Sequence, residues 1–444
     1  MKSLLPHQTE DAAFLAARRF AGNFSGMGSG KTLSALAAVG LVMPAVTIVV
    51  CPPIAMDMWK REAEDFLSVE AQILKTGKTR IDLSMRTVLI MSYAIATKRV
   101  EELKKIRAGV LILDESHACK SIKAQRTKAL IGGAGLAQTV DHTWCLTGTP
   151  STRWNDDLFS FLINADKHRL QDKIGSLTME RFQLRYCVTQ KKKFSRFQRY
   201  PTVVTVGNRN TEELHDMLFN GDPIAVRREL KEVWAQMPPL TINRLTVKLD
   251  MSAELKAMLD EIKNQSVAQI SQQIQNDGPA LATLRRELGM AKVKASVSEI
   301  VDRCEAGAGP LLIGAWHTSV IDALAIALTK KELKVGILDG RTPANKRQAL
   351  QDAFNGGELD VLVGQIAAMG VAIDLQHGGN RIICIEEDWS PAVQAQFYAR
   401  MHRMGQTKHV HVDIFASDTK LDKAVARIAG TKAREHHKIL EQDL

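Results

Sequence analysis

Eight residues near the start of the chain, Ser25-Gly26-Met27-Gly28-Ser29-Gly30-Lys31-Thr32, flank a serine with glycines and close on Lys-Thr. Gly28 and Gly30 permit a backbone that wraps a phosphate, so that successive N–H groups and the following helix N-terminus face it. Within that turn Ser29 lines the cradle, Lys31 neutralises β- and γ-phosphates, and Thr32 offers a hydroxyl to Mg²⁺. Farther on, the apolar run Leu111-Ile112-Leu113 ends in Asp114-Glu115-Ser116-His117. Asp114 suits Mg²⁺, and Glu115 suits orienting and deprotonating an attacking water. Near the far end, Arg400 and Arg403 are spaced so that on a helix both point the same way, toward charge developing on a transferred phosphoryl group. A triphosphate cradle, two acids and a remote arginine pair outline a site completed by a second lobe.

Each piece has a blander reading. The glycines could form a plain turn, the acids a solvated loop, the arginines an exposed basic face. Their joint presence in this order favours the site. His117 either couples the acids to motion or caps the turn, and Gln8, ahead of the cradle, is a candidate reader of adenine.

The elements that must carry these residues follow from apolar patterning. Glu10–Phe20 reads as a helix, with a further helix from Lys31, a β-branched strand over 46–51, and a helix over Met56–Phe66. Strands are expected at Thr87–Ser92, Val110–Leu113 and Thr143–Leu146, with a helix at Glu101–Ile106. Short apolar strands alternating with helices indicate a parallel sheet covered on both faces, with ligands at the strands' carboxyl ends. From about 155 to 230 the strand rhythm is lost, and the segment reads as mixed, basic and helical. After Pro238-Pro239 come an extended run, Leu240–Leu249, and polar helices from Ser252 to about Glu305. Alternation then resumes with strands at Leu311–Ala315, Val335–Leu338, Val361–Val363, Arg381–Ile385 and Val410–Phe415. The expected fold class is α/β, two parallel-sheet lobes in tandem: 1–235 with a helical protrusion at about 155–230, and 236–444 with a helical insertion at about 250–305.

Bulk properties narrow the class. The 444 residues can hold two or three cores, and the formal charge of +10 suits a polyanionic partner without requiring one. Six cysteines are scattered without a Cys-x-x-Cys pair, which argues against a zinc ribbon or disulfide frame and suits a reducing cytoplasm. Leu33 to Met56 is uncharged and long enough to span a bilayer, but Pro44 divides it into a buried helix and a buried strand. No signal peptide is legible at the N-terminus, and a cytosolic protein is expected.

With these residues placed, the chain resembles the Swi/Snf-type ATPases of helicase superfamily two, nearly end to end. Leu5-Pro6-His7-Gln8 is similar to the family's adenine motif. Val49-Val50-Cys51-Pro52-Pro53 with Trp59-Lys60-Arg61-Glu62 resembles motif Ia, and Asp114-Glu115-Ser116-His117 with Lys120 the Asp-Glu-x-His box. Leu146-Thr147-Gly148-Thr149-Pro150, with Asn155 and Leu158, resembles motif III, and Arg227-Arg228 before Met237-Pro238 a brace into the second lobe. Leu312 to His317 resembles motif IV, Asp339-Gly340-Arg341-Thr342 with Arg347 and Phe354 the next segment, and Ala367-Ala368-Met369-Gly370 motif V. Asp388-Trp389-Ser390-Pro391 through Gln396, Arg400, His402, Arg403, Gly405 and Gln406 resembles motif VI. The Trp316-His317 and Ala-Ala-Met-Gly wording sits nearest the annealing-helicase (HepA-related) branch. Two departures stand out: Ser25-Gly26 where the family usually has Asp-Glu, and Asp374 where motif V usually carries asparagine nearby.

The resemblance implies RecA-like lobes, ATP with Mg²⁺, and a monomeric translocase on double-stranded DNA with possible fork-remodelling or strand-annealing activity. Nucleic-acid contacts inferred from motif position are Pro53, Thr147, Thr149, His317, Arg341 and Gln365, though Thr147 and Thr149 could instead relay ATP state. Lys191–Tyr200 interleaves aromatics with basic residues, as an accessory DNA grip or a solvated face. Two other readings stay open: a strand-separating DNA or RNA helicase, although no pin hairpin is obvious, and an ATP-driven clamp on a protein such as RNA polymerase. So short a motor suits a bacterial or phage-infected cytosol, with a protein recruiter.

Overall fold

The computed structural model of the protein describes residues 3–83, 86–151, 154–193, 200–234, 237–276, 281–370, 373–388 and 390–440. The chain divides into two compact units, Met1–Val233 with Arg434–Leu444, and Trp234–Ala433.

In the first unit, β1 (Phe20–Asn23), β2 (Val46–Cys51), β3 (Glu70–Leu74), β4 (Thr87–Ser92), β5 (Val110–Asp114) and β6 (His142–Leu146) alternate with helices. The strands β2, β4 and the apolar part of β5 are buried at every position, as a sheet covered on both faces requires. Two later strands, β7 (Cys187–Lys192) and β8 (Thr202–Asn208), pair antiparallel as a separate ribbon, and β9 (Ala225–Val226) returns beside β1. The main sheet runs β3-β4-β2-β5-β6-β1-β9, with every pair parallel. Its order makes β5, β6 and β1 neighbours, and the register sets Leu146 beside both Asn23 and Asp114. The phosphate loop, the acid pair and the Thr-Gly-Thr turn therefore leave adjacent strand ends.

Two readings need correction here. The first helix is Pro6–Ala16, and Phe20 begins β1. Four buried residues between two neighbours are too few to show a period. The 155–230 region holds the expected helices, among them Phe159–Ala165, Lys167–Ile174, Met179–Tyr186 and Thr211–Phe219, but also the β7–β8 ribbon. Most of that ribbon is exposed or half-exposed, so no apolar alternation marked it.

In the second unit, β10 (Leu240–Thr246), β11 (Leu311–Ala315), β12 (Val335–Leu338), β13 (Val361–Gln365), β14 (Arg381–Cys384) and β15 (Val410–Ala416) form a sheet of order β10-β15-β14-β11-β13-β12. All its pairs are parallel. The insertion between β10 and β11 is three helices, Ala253–Glu261, Val267–Asn276 and Ala282–Glu305. Both units are thus parallel-sheet lobes, as expected. Among the described residues no helix is long and apolar enough to cross a membrane.

Candidate nucleotide and nucleic-acid sites

The phosphate loop follows β1 and ends where the helix Lys31–Val42 starts. Within it the left-handed conformation falls on Gly28 (φ 79°) and Gly30 (φ 83°), the N-cap of that helix. Ser25 is not in that region, which explains why a serine is tolerated where phosphate loops commonly open on glycine. Lys31 Nζ donates to the carbonyls of Ser25 (2.8 Å) and Gly26 (2.9 Å), so the ammonium sits over the loop. His7 bonds the Ser29 carbonyl at 2.9 Å, and the Gln8 amide spans from the Leu5 N–H (2.9 Å) to the Gly30 carbonyl (3.4 Å). Gln8 is buried and tied to backbone at both ends.

A second set of bonds holds the loop from behind. Asn23 accepts from the Ser25 N–H (3.1 Å) and donates to Asp11 (3.1 Å), a carboxylate that is 1% exposed. Arg228 pairs with Asp11 (3.3 Å) and Glu10 (2.7 Å) while its N–H donates to Ser25 Oγ (3.1 Å) and its carbonyl accepts from Gly26 (2.8 Å). Arg227 donates to the Phe24 carbonyl and pairs with Glu229. The Arg-Arg pair, read from sequence as a brace toward the second lobe, clamps the phosphate loop. Burial raises the Asp11 pKa, and Arg228 opposes that rise.

The acid pair ends β5. Asp114 accepts from the Trp59 indole N–H (2.8 Å, Oδ2) and the Glu115 N–H (3.0 Å, Oδ1), and its carbonyl accepts from Tyr93 Oη (2.8 Å). Burial and the neighbouring Glu115 charge push the Asp114 carboxyl upward, against Trp59 and Lys31. Glu115 has φ 52°, a left-handed conformation that carries about 1–2 kcal/mol of strain in a non-glycine residue and recurs at functional sites. The Thr147 hydroxyl lies 3.1 Å from His117 Nδ1 and 3.5 Å from Glu115 Oε2, and it accepts from the Thr149 N–H at 3.1 Å. His117 Nδ1 is also 3.3 Å from Glu115 Oε2. Thr147 and Thr149 are 1% and 2% exposed, a setting that fits the relay role better than direct contact with a strand. Pro53, by contrast, is exposed at the start of the turn Pro53–Ala55.

These donors suit the groups expected. The Ser29 hydroxyl is buried inside the loop with no hydrogen-bond partner among the described residues, as a phosphate-facing group would be. Thr32 and Asp114 supply hard oxygens of the kind Mg²⁺ takes alongside nucleotide phosphates and water.

In the second unit, His317, Gln365 and Arg341 lie at or just beyond the carboxyl ends of β11, β13 and β12, which are adjacent. His317 is fixed by Glu386, which accepts from the Trp316 N–H (2.9 Å), the His317 N–H (2.8 Å) and its Nδ1 (2.6 Å). Glu386 is 4% exposed and fits only because Gly289 lacks a side chain; a Cβ there would lie 2.7 Å from its oxygen. Gln365 donates to the Trp316 carbonyl at 3.3 Å. The Arg341 guanidinium is held by Asp322 (2.6 Å) and Asp339 (2.5 Å), and those carboxylates raise its pKa.

The arginine pair is placed differently from the helical-face expectation. The helix Pro391–Tyr398 stops before Arg400, and both arginines lie in the turns after it. They still converge: Arg400 donates to the Ile373 carbonyl (3.3 Å) and Gln396 carbonyl (3.1 Å), and Arg403 pairs with Asp374. His402 bonds the Pro238 carbonyl at 2.8 Å, and burial lowers its pKa. Trp389 and residues 194–199 of the basic patch lie outside the described residues.

Against known families, residues 21–290 match the SNF2-related domain and residues 292–405 the helicase conserved C-terminal domain. The chain belongs to the SNF2-related family. Among curated relatives, a SWI/SNF-related matrix-associated actin-dependent regulator of chromatin subfamily A-like protein 1 homolog of Caenorhabditis elegans is 27% identical over 95% of this chain and 60% of its own length. The DNA annealing helicase and endonuclease ZRANB3 of Mus musculus is 25% identical over 92% of this chain and 38% of its own. This SNF2-related chain therefore spans between about two fifths and three fifths of the length of these relatives. One name is SWI/SNF-related and the other an annealing helicase, the branch toward which the motif wording pointed. The Sulfolobus solfataricus SWI2/SNF2 ATPase core in complex with dsDNA aligns at 17% identity and a TM-score of 0.43, covering 100% of this chain and 98% of that one.

Sequence reasoning missed several residues of the SNF2-related site. Trp59 stands in motif Ia by resemblance with no role read for it, yet its N–H serves Asp114; a buried indole N–H generally finds a partner, and that was the signal available. Asp11, Asn23 and Tyr93 had no such signal, because their partners lie on other elements of the fold. Glu386 stood beside a recognised motif in an acidic run, Glu386-Glu387-Asp388, where composition does not say which acid is buried.

Proposed function

We propose that this chain hydrolyses ATP with Mg²⁺ in response to double-stranded DNA and moves along the duplex without obligatory strand separation. The observation that carries the reading is the Thr147 hydroxyl, set between Glu115 and His117 at the end of β6. It ties the acid suited to activating water to the turn suited to sensing nucleic acid.

In this reading the loop N–H groups, Ser29 and Lys31 cradle the phosphates, and Gln8 lies beside the adenine end. Thr32 and Asp114 would hold Mg²⁺, which when bound shields the β- and γ-phosphate charge. Trp59 and the Glu115 N–H keep the Asp114 carboxylate oriented. Glu115 takes the proton of the attacking water, and Arg400 and Arg403 stabilise charge on the γ-phosphoryl oxygens. Thr147, with Thr149, reports the state of Glu115 to the nucleic-acid side. Pro53, His317, Arg341 and Gln365 are the proposed backbone contacts, so binding is sequence-tolerant and weakened by salt. That the recognised relatives include a DNA annealing helicase supports DNA over RNA or protein as the track.

Displacement of a third strand from a triplex tests this. The wild-type chain should release it with ATP, and Glu115→Gln should not. Release only from forked or single-strand-tailed substrates, with strand separation, would replace the reading by an unwinding helicase. Failure on every DNA substrate, with activity restored by a bound polymerase, would replace it by a protein clamp.

A further inference from the structure

The β7–β8 ribbon is not used by the site above. Among the described residues from Cys187 to Arg209 the chain carries three lysines, one arginine and no acid, against a whole-chain surplus of +10. A solvated face ordinarily mixes signs, because like charges held together repel. Lys191, Lys192 and Lys193 make no ion pair among the described residues. Tyr200 is 72% exposed and Val203 48% exposed.

The ribbon is nevertheless firmly rooted. A lone two-stranded hairpin is marginal in water. Here Asn155, fully buried, donates from its backbone to Asn208 (2.8 Å) and from its amide to the carbonyls of Tyr186 (2.9 Å) and Arg209 (3.1 Å). Asp156 accepts from Thr205 (2.6 Å) and Gln183 (3.0 Å), and Arg185 and Tyr186 both bond Glu213 at 2.6 Å. Asn155 and Asp156, which root the ribbon, follow the Thr147-Gly148-Thr149-Pro150 turn closely in sequence.

Pairing of Lys191 with Val203 and of Lys192 with Thr202 puts the two lysines on opposite faces, since side chains alternate along a strand. Cations on both faces suit a groove, whose two walls are phosphate, better than a flat surface. The major groove of a duplex admits a two-stranded ribbon. We propose that the β7–β8 ribbon is an additional duplex-DNA contact that enters a groove and neutralises phosphates on both walls. It rests on the reading of this chain as DNA-dependent.

The test is fluorescence anisotropy of a labelled duplex and of one of its single strands across a salt series, with a variant carrying Lys191→Gln, Lys192→Gln and Lys193→Gln. Each phosphate contact adds about 0.9 to the slope of log affinity against log salt on duplex, so the variant's slope should fall by roughly 2–3. Its ATPase rate at saturating duplex should stay near wild type, with more DNA needed to reach it. Gln190→Lys, at an exposed strand position, should steepen the slope by about 1 and keeps the test decisive if the triple variant does not fold. Unchanged slopes in Gln190→Lys and in a folded triple variant, with wild type binding duplex normally, overturn this inference alone. A larger loss on the single strand than on duplex overturns the groove. A wild type that binds no duplex overturns the DNA reading and this inference with it.

Discussion

Replacing Trp59 by phenylalanine removes the indole N–H from a fully buried side chain and leaves a smaller aromatic ring in most of its place. The lost bond is 2.8 Å, to a carboxylate oxygen of Asp114. A hydrogen bond to a charged group contributes about 1.5–3 kcal/mol, which corresponds to roughly a 10- to 150-fold loss wherever the Asp114 carboxylate must be held in place. The smaller ring also leaves a void, for which about 1–2 kcal/mol of stability is a fair allowance. The loss should appear in the Mg²⁺ dependence: Mg²⁺ affinity of the ADP-bound protein, read by titration calorimetry, falls by that factor. The sign of the pH effect follows too. Trp59 holds the Asp114 pKa down against burial and Glu115, so without it the carboxyl rises further and the acid limb of the rate profile moves to higher pH. A variant that melts lower but keeps its Mg²⁺ affinity and its pH profile would refute the positioning role and leave Trp59 as core.

Other outcomes follow from the same geometry. With Mg²⁺ removed, Asp114→Asn should melt higher than wild type at neutral pH by about 1–3 kcal/mol equivalent, because a carboxyl whose folded pKa is raised penalises the fold once ionised. That advantage should shrink as pH falls through the raised pKa toward 3.8, which chemical denaturation at several pH values would show. Arg228→Ala strips the buried Asp11 of its cation and the phosphate loop of its clamp, so urea unfolding should show a loss of roughly 2–4 kcal/mol, much of it recovered in Arg228→Ala with Asp11→Asn. Thr147→Val should keep basal ATPase and lose most of its stimulation by duplex, measured in one steady-state assay with and without DNA. Asp374→Asn frees Arg403 from a half-exposed ion pair of up to about 1 kcal/mol, so the stimulated rate should rise by no more than about fivefold, while Arg403→Ala abolishes it.

Much of the fold was readable because buried parallel strands are continuous apolar runs. Val46–Cys51, Thr87–Ser92 and Leu311–Ala315 were placed to the residue. The glycine-rich turn and the acid pair stood out because triphosphate and Mg²⁺ chemistry would dictate residue types at fixed spacing, and the sheet register sets the two at adjacent strand ends. What failed depends on tertiary bonds. The spacing of Arg400 and Arg403 suits one face of a helix, but the helix ends at Tyr398, where Arg400 gives its carbonyl to the Leu375 N–H and His402 reaches Pro238. The ribbon was hidden because its strands face solvent and carry lysine, threonine and valine without an apolar face. The role of Trp59 was hidden because it sits on the helix Met56–Leu67 while its partner lies 55 residues away at the end of β5.

The central claim is that duplex DNA switches on ATP hydrolysis through Glu115. Its most direct test is the steady-state ATPase rate with no nucleic acid, duplex DNA, single-stranded DNA and RNA, each beside Glu115→Gln. The account predicts strong stimulation by duplex above all others, absent in Glu115→Gln. Stimulation by single strands or RNA alone, or a rate indifferent to every nucleic acid, would contradict it.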